Sequence, residues 1–353
     1  MTVRLPEVAV LEMTWRCNHS CLFCSCPWYA ASGAYPRDPE LDTAGWFGAL
    51  ARLKGMGVRS IAFSGGEALL RDDLPALLEE AHRLRADSVH AKGFRNIQLL
   101  SNGKAMREDI LQLCRRFDIA LGMSLPGLST FPQLTGGEDP RRVLHWFQEA
   151  RKLGIVATAG ITLTSVNIHE IRETAAAALL AGASRLLINR YTPGGRGLSH
   201  PELVITVPQL KIALAAVNEV LERSGRTGSL GTELPLCHVD PNLYPRLKID
   251  SHCAAAVGFF AVDPAGWVRV CNHSPVRVAP LDDPDAIFRH PHWRTFALRA
   301  FTPDACMDCA ANTRCHAGCR ESAHILGGHP WSDDPVFPPV PLASASRTSR
   351  TRG

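Results

Sequence analysis

From Val8 to about Ile188 the chain alternates short β-rich runs with amphipathic helical stretches. This alternation restricts it to parallel strands joined by helical crossovers. Six strands are expected, at Val8–Glu12, Ser60–Ser64, Ile97–Ser101, Ile119–Ser124, Val156–Leu163 and Leu186–Asn189. The helices between them are well signalled. After Asp73 as a cap and Pro75 in the first turn, Leu74, Leu77, Leu78, Ala81 and Leu84 form one apolar face. Six βα units make an open, partial (β/α)6 TIM barrel, and in a parallel barrel chemistry gathers at the C-terminal ends of the strands.

The unusual residues lie at those ends. Cys17, Cys21 and Cys24 follow the first strand, Ser64-Gly65-Gly66-Glu67 the second, Ser101-Asn102-Gly103 the third and Ser124-Leu125-Pro126-Gly127 the fourth. Arg190-Tyr191-Thr192-Pro193-Gly194-Gly195-Arg196-Gly197 follows the sixth. Any one of these is an ordinary turn composition; five on one rim point to a site. The CxxxCxxC spacing lets one short loop offer three thiolates, one fewer than a cysteine-held cubane takes. That leaves one iron for another ligand, and zinc is the competing occupant.

Twelve cysteines, all but Cys114 in the two groups Cys17–Cys26 and Cys237–Cys319, argue for metal or cluster ligation. Cys114, within the helical stretch Ile110–Phe117, is expected to be a small buried apolar residue. The opening residues lack a signal-peptide pattern, and the apolar run Ala175–Ala183 is too short to span a bilayer. A cytoplasmic protein with no membrane partner follows. The 38 basic and 34 acidic residues nearly cancel and form no aromatic-interleaved basic run, so no nucleic-acid partner is expected.

The alternation stops after a helical segment at Val207–Ser224, and a domain boundary is placed at Gly225–Gly231. Beyond it the chain is loop-rich and cysteine-punctuated, with a hairpin signal at Phe259–Val262 and Trp267–Val270 across Asp263-Pro264-Ala265-Gly266. The expected division is residues 1–224 for the barrel, 225–340 for the cysteine-rich domain and 341–353 for a disordered tail, the last residues Ala343–Gly353 being rich in Ser, Thr and Arg.

With CNHSCLFC at Cys17–Cys24, SGGE at Ser64–Glu67, and Cys253, Gly266, Cys271 followed by CMDCAANTRCHAGC at Cys306–Cys319, the chain resembles the radical S-adenosylmethionine (SAM) enzymes carrying a C-terminal SPASM auxiliary-cluster domain. The resemblance covers about residues 8–337. It implies a [4Fe-4S] cluster on Cys17, Cys21 and Cys24 that binds SAM and cleaves it reductively to a 5'-deoxyadenosyl radical, with a reductant such as flavodoxin or ferredoxin. It implies that Gly65, Gly66 and Glu67 receive the SAM amino group, with the Glu67 carboxylate complementing its charge. Ser101, Asn102 and Ser124 become candidates for ribose and carboxylate contacts, and Arg190 a charged fork for the SAM carboxylate.

In the second domain the resemblance places Cys253, Cys271 and Cys319 on a first auxiliary [4Fe-4S] cluster, with Cys237 as its fourth ligand. Cys306, Cys309 and Cys315 would hold a second, whose last Cys normally follows an Asp-Pro pair. Here that position reads Phe337. His316, His324 or Asp333, a substrate atom, or the absence of the cluster are the alternatives, and an incompletely ligated second cluster is the expectation. Cys26 is not at a ligand position. Trp28 and Tyr29 beside it are expected to pack on the rim rather than wall a ligand.

Auxiliary clusters suit net oxidation, so the expected function is an oxidoreductase that cross-links, forms a thioether in, or dehydrogenates a ribosomally made peptide. The first strand at Val8 leaves no room for an N-terminal leader-gripping module, so a separate leader-binding protein is expected. A dehydrogenase or epimerase of a small molecule such as an aminocyclitol or aminosugar is the alternative enzyme. A non-catalytic iron–sulfur electron-transfer protein is the alternative of another class. Sulfatase maturation is disfavoured because Asn272, not a carboxylate, follows Cys271.

Overall fold

The computed structural model describes residues 4–86, 88, 91–340 and 342; the expected disordered tail from Ala343 lies outside the described residues. Six parallel strands stand where the alternation put them: β1 (Val8–Glu12), β2 (Ser60–Ser64), β3 (Asn96–Ser101), β4 (Ala120–Ser124), β5 (Ala157–Leu163) and β6 (Arg185–Arg190). They pair in chain order, with Leu11 opposite Phe63 and Gln98 opposite Ala120. Ile61, Phe63, Ile97, Leu99, Leu121, Met123, Ala159 and Ile161 are buried under the crossover helices. The opposite face, including Gln98, Leu100, Gly122, Gly160 and Thr162, stays half-buried. Parallel sheets are normally covered on both faces, so the half-buried face is the one left for function.

The parallel run continues past β6. The helix Val207–Ser224 carries a complete capping box, in which the Thr206 side chain accepts from Gln209 N and Gln209 answers at the Thr206 backbone, and it ends on Gly225 at φ 64°. The chain then adds β7 (Gly228–Leu230) and β8 (Leu247–Lys248) to the edge of β6. The expected hairpin forms as β9 (Phe260–Val262) and β10 (Trp267–Arg269), continued by β11 (Ala279–Pro280). Strand β9 pairs parallel with β1, so one 11-stranded sheet runs β11-β10-β9-β1-β2-β3-β4-β5-β6-β7-β8 among the described residues. The sheet therefore stays open, because β1 spends its free edge on the cysteine-rich segment.

Asp73 precedes the helix Leu74–Arg83 as expected but does not cap it with its side chain. The carboxylate is taken by the fork of Arg71, at 2.8 and 2.7 Å, and by Thr43 Oγ1 at 2.7 Å. A bidentate charged pair outcompetes one backbone N–H. Cys114 is fully buried in the helix Glu108–Arg116.

Candidate functional site

The loop after β1 is held from several sides. Ser20 N and Leu22 N donate to Thr135 O and Leu134 O at 3.1 and 3.0 Å, and Gly197 N donates to Cys24 O at 3.1 Å. Arg196 Nη1 reaches Cys21 O at 3.1 Å while its guanidinium lies 4.9 Å from the Tyr29 ring centre. The three sulfurs are half-buried free thiols. His19 N and Asn102 Nδ2 point at Cys17 Sγ from 3.5 and 3.8 Å. Burial pushes Cys17 and Cys21 up, whereas Cys24 is lowered to about 7, first by the hydrogen bond from the Cys26 thiol and further by the Arg196 charge. Cys26 also donates to Gly65 O at 3.8 Å. Two N–H donors on the Cys17 sulfur and a guanidinium on the Cys21 carbonyl, beside three unpaired thiols, suit a thiolate-held cluster.

The Gly-Gly pair after β2 lies directly against this loop. Gly66 N donates to Thr14 O and Glu67 N to Arg16 O, both at 2.9 Å. A Cβ on Gly66 would stand 2.1 Å from Arg16 O and 3.2 Å from Cys17 N, and Gly65 adopts φ 119°. Only glycine permits that approach.

Glu67 does not face an open site. It is 1 % exposed, and its two oxygens accept from Leu69 N at 3.1 Å and Asn102 N at 2.8 Å. Burial raises it to about 7, against the pull of those amides. Glu67 thus ties the end of β2 to the end of β3. Asn102, placed by that bond, also donates to Asn18 Oδ1 at 2.8 Å. Ser101 is buried and accepts from Gly103 N at 2.9 Å, and Ser124 ends β4 exposed.

Arg190 is committed to other partners. It is fully buried, its Nη2 is bound to Asp334, and its guanidinium sits 4.8 Å from the Phe337 ring centre. Its charge acts on Cys319 and Glu233, on the auxiliary side. Arg196, six residues on, is the arginine at the cysteine loop; a charged residue in a glycine-rich rim loop was the available signal.

Trp28 packs as expected. It is buried, donates from Nε1 to Trp15 O at 3.1 Å and stands edge-on to Trp15 at 5.1 Å. Tyr29 Oη donates to the same carbonyl at 2.5 Å. Sequence reasoning missed the buried pair of Glu12, at the end of β1, with Arg269 of β10. It also missed Glu170, whose carboxylate accepts from Leu128 N, Ser129 N and Thr130 N at 2.8, 2.9 and 3.1 Å and so braces the loop after β4.

The seven C-terminal cysteines fall into two sets, not divided as expected. Cys253, Cys271 and Cys319 are buried and repel one another's charge, with Glu233 acting on Cys253 and Cys319, and Glu321 on Cys271. Cys237 is not with them. It lines a recess with Cys306, Cys309 and Cys315, and Cys315 and Cys309 act on its charge. None of His316, His324 or Asp333 lines that recess among the described residues. His324 instead meets Glu321 at 3.1 Å.

Residues 11–178 match the family model of the Radical SAM superfamily. Over 99% of its length the chain is 28% identical to the PqqA peptide cyclase of Xanthomonas campestris pv. campestris (strain B100), covering 92% of that protein. It is 27% identical to the PqqA peptide cyclase of Gluconobacter oxydans (strain 621H), over 95% of this chain and 92% of that one. Among solved structures, Streptococcus suis SuiB bound to S-adenosylmethionine superposes with TM-score 0.69 at 17% identity, covering 95% of this chain and 76% of that one. Native anSMEcpe with bound AdoMet gives 0.68 at 16%, covering 94% and 92%. These likenesses establish the fold.

Proposed function

We propose that this chain, whose residues 11–178 match the family model of the Radical SAM superfamily, is a SPASM-type radical SAM oxidoreductase that oxidatively modifies a ribosomally made peptide. The barrel would occupy residues 1–224 and the auxiliary region 225–340. Cys17, Cys21 and Cys24 would hold the [4Fe-4S] cluster, which when bound supplies one-electron cleavage of the SAM C–S bond.

This chain's own residues do the rest. Asn102 and His19 N offer hydrogen bonds to the Cys17 sulfur, and Arg196 offsets the charge of the thiolate loop. Glu67 fixes Asn102 by holding its backbone N–H, and Gly65 and Gly66 bring backbone carbonyls to the loop's edge. Trp15, Trp28 and Tyr35 exclude water beneath it. The two C-terminal cysteine sets would hold auxiliary clusters that accept the electron a substrate radical must lose. A separate leader-binding protein and a flavodoxin- or ferredoxin-type reductant complete the proposal. No helix among the described residues is long and apolar enough to cross a membrane.

The observation that carries the peptide assignment is the near-full-length alignment with proteins named PqqA peptide cyclase. The test is anaerobic reconstitution with SAM, reductant and each short peptide found encoded in the genes neighbouring this one. Cross-linking, thioether formation and dehydrogenation each remove two hydrogens, so the peptide is expected to lose that mass while 5'-deoxyadenosine accumulates. A product of unchanged mass would point to epimerisation. Replacing Cys17, Cys21 and Cys24 with Ala is expected to abolish 5'-deoxyadenosine formation; cleavage surviving in that variant would overturn the proposal.

A further inference from the structure

We propose that Cys237 is the fourth thiolate of the auxiliary site formed by Cys306, Cys309 and Cys315, filling the ligand position that Phe337 vacates. This rests on the reading that the cysteine sets hold iron–sulfur clusters. It changes which residues do so and what each set can do.

The placement is geometric. The four cysteines line one recess, closed over by the segment at Val340 and Leu342. Cys237 sits on a turn in which His238 N and Val239 N both donate to Pro235 O, at 3.0 and 3.3 Å, so its position is built rather than accidental. Three of the four sulfurs receive backbone N–H groups: Leu236 N to Cys315 at 3.2 Å, Val340 N to Cys237 at 3.3 Å and Leu342 N to Cys309 at 3.4 Å. A neutral thiol is a weak acceptor. Amides converging on the sulfurs of one recess are what cluster-bound thiolates use to disperse charge.

Phe337 shows why the substitution is tolerated. Its ring is buried beneath Arg190 and 6.0 Å from the His238 ring, so its side chain is committed to packing. The chain after it returns across the recess as a strap. His238 Nε2 meets Pro338 O at 2.8 Å, and Ala310 N donates to Leu342 O at 3.2 Å. The strap thus contributes amides to the sulfurs where relatives contribute a sulfur, and Cys237 supplies the thiolate from the opposite wall. A site with four protein thiolates has no vacant iron corner and is confined to passing electrons. Cys253, Cys271 and Cys319 are then the three-thiol set, with Glu233 and Glu321 the charges acting on it.

The test uses the full chain carrying Cys17→Ala, Cys21→Ala and Cys24→Ala, reconstituted anaerobically without SAM, so it does not depend on whether the protein cleaves SAM. Iron, labile sulfide and the EPR spectrum of the reduced protein are read. Adding C237A is expected to alter the EPR signal of the same site that C306A alters, with at most about four iron atoms lost in either case, and the two together to affect no further site. With C253A the losses should add. Cys237→Asp, which keeps a ligating side chain, is expected to retain iron with a shifted signal for that site, separating ligation from folding. An unchanged EPR spectrum together with unchanged iron in C237A, effects additive with C306A but not with C253A, or a protein that takes up only zinc would each overturn the assignment.

Discussion

Glu170 gathers three backbone N–H groups and the hydroxyls of Ser129 and Thr130 onto one carboxylate. Burial alone would raise it, but the hydroxyl and amide donors prevail and hold it at about 2. A folded value below the ordinary 4.5 means its contribution is complete above pH 4.5 and fades as pH falls toward 2. Glu170→Gln is expected to cost about 1–3 kcal/mol by leaving donors unpaired. It should also flatten the acid limb of stability between those pH values, read by urea unfolding across pH. Nothing local marks this residue, because its partners lie 40 to 42 positions earlier. The three cysteines after β1 were legible residue by residue because their spacing is short-range; Glu67 was legible as important but not in its orientation, which burial decides.

The strands were legible as elements because period-two apolar runs flanked by helical ones leave little choice of partner. The Gly-Gly turn after β2 was visible as well, but its physical reason lies across the sheet, in the approach to Arg16 and Cys17. Gly66→Ala is expected to leave the fold largely intact while displacing the cysteine loop, since its Cβ would sit 2.1 Å from the Arg16 carbonyl oxygen. A displacement of that order costs roughly 100-fold in a rate that depends on alignment. Measuring 5'-deoxyadenosine formation alongside circular dichroism separates the two effects; undiminished cleavage would mean the loop is not positioned by this contact. The Asp73 carboxylate shows the reverse case, where a sound capping expectation lost to Arg71 two residues away.

At the scale of the molecule, two buried ion pairs join segments far apart in the chain: Glu12 with Arg269, 257 positions on, and Arg190 with Asp334, 144 positions on. The first ties β1 to β10 just beneath the cysteine loop. Arg269→Met is expected to destabilise the fold by about 3–5 kcal/mol through the uncompensated Glu12 charge, and adding Glu12→Gln should recover much of that. Denaturant unfolding of the single and double variants checks this, and equal losses in both would show that the pairing is not what matters. Periodicity and cysteine spacing, both set within a few residues, determined the parallel sheet, the three-thiol loop and the cysteine-rich C-terminal region. Only the folded chain decided which thiols line one recess, because Leu236, next to Cys237, meets the Cys315 sulfur through packing of segments 79 residues apart. The same holds for Arg190, a rim residue in sequence that the return of the Asp334–Phe337 segment turns into a buried partner of the auxiliary side.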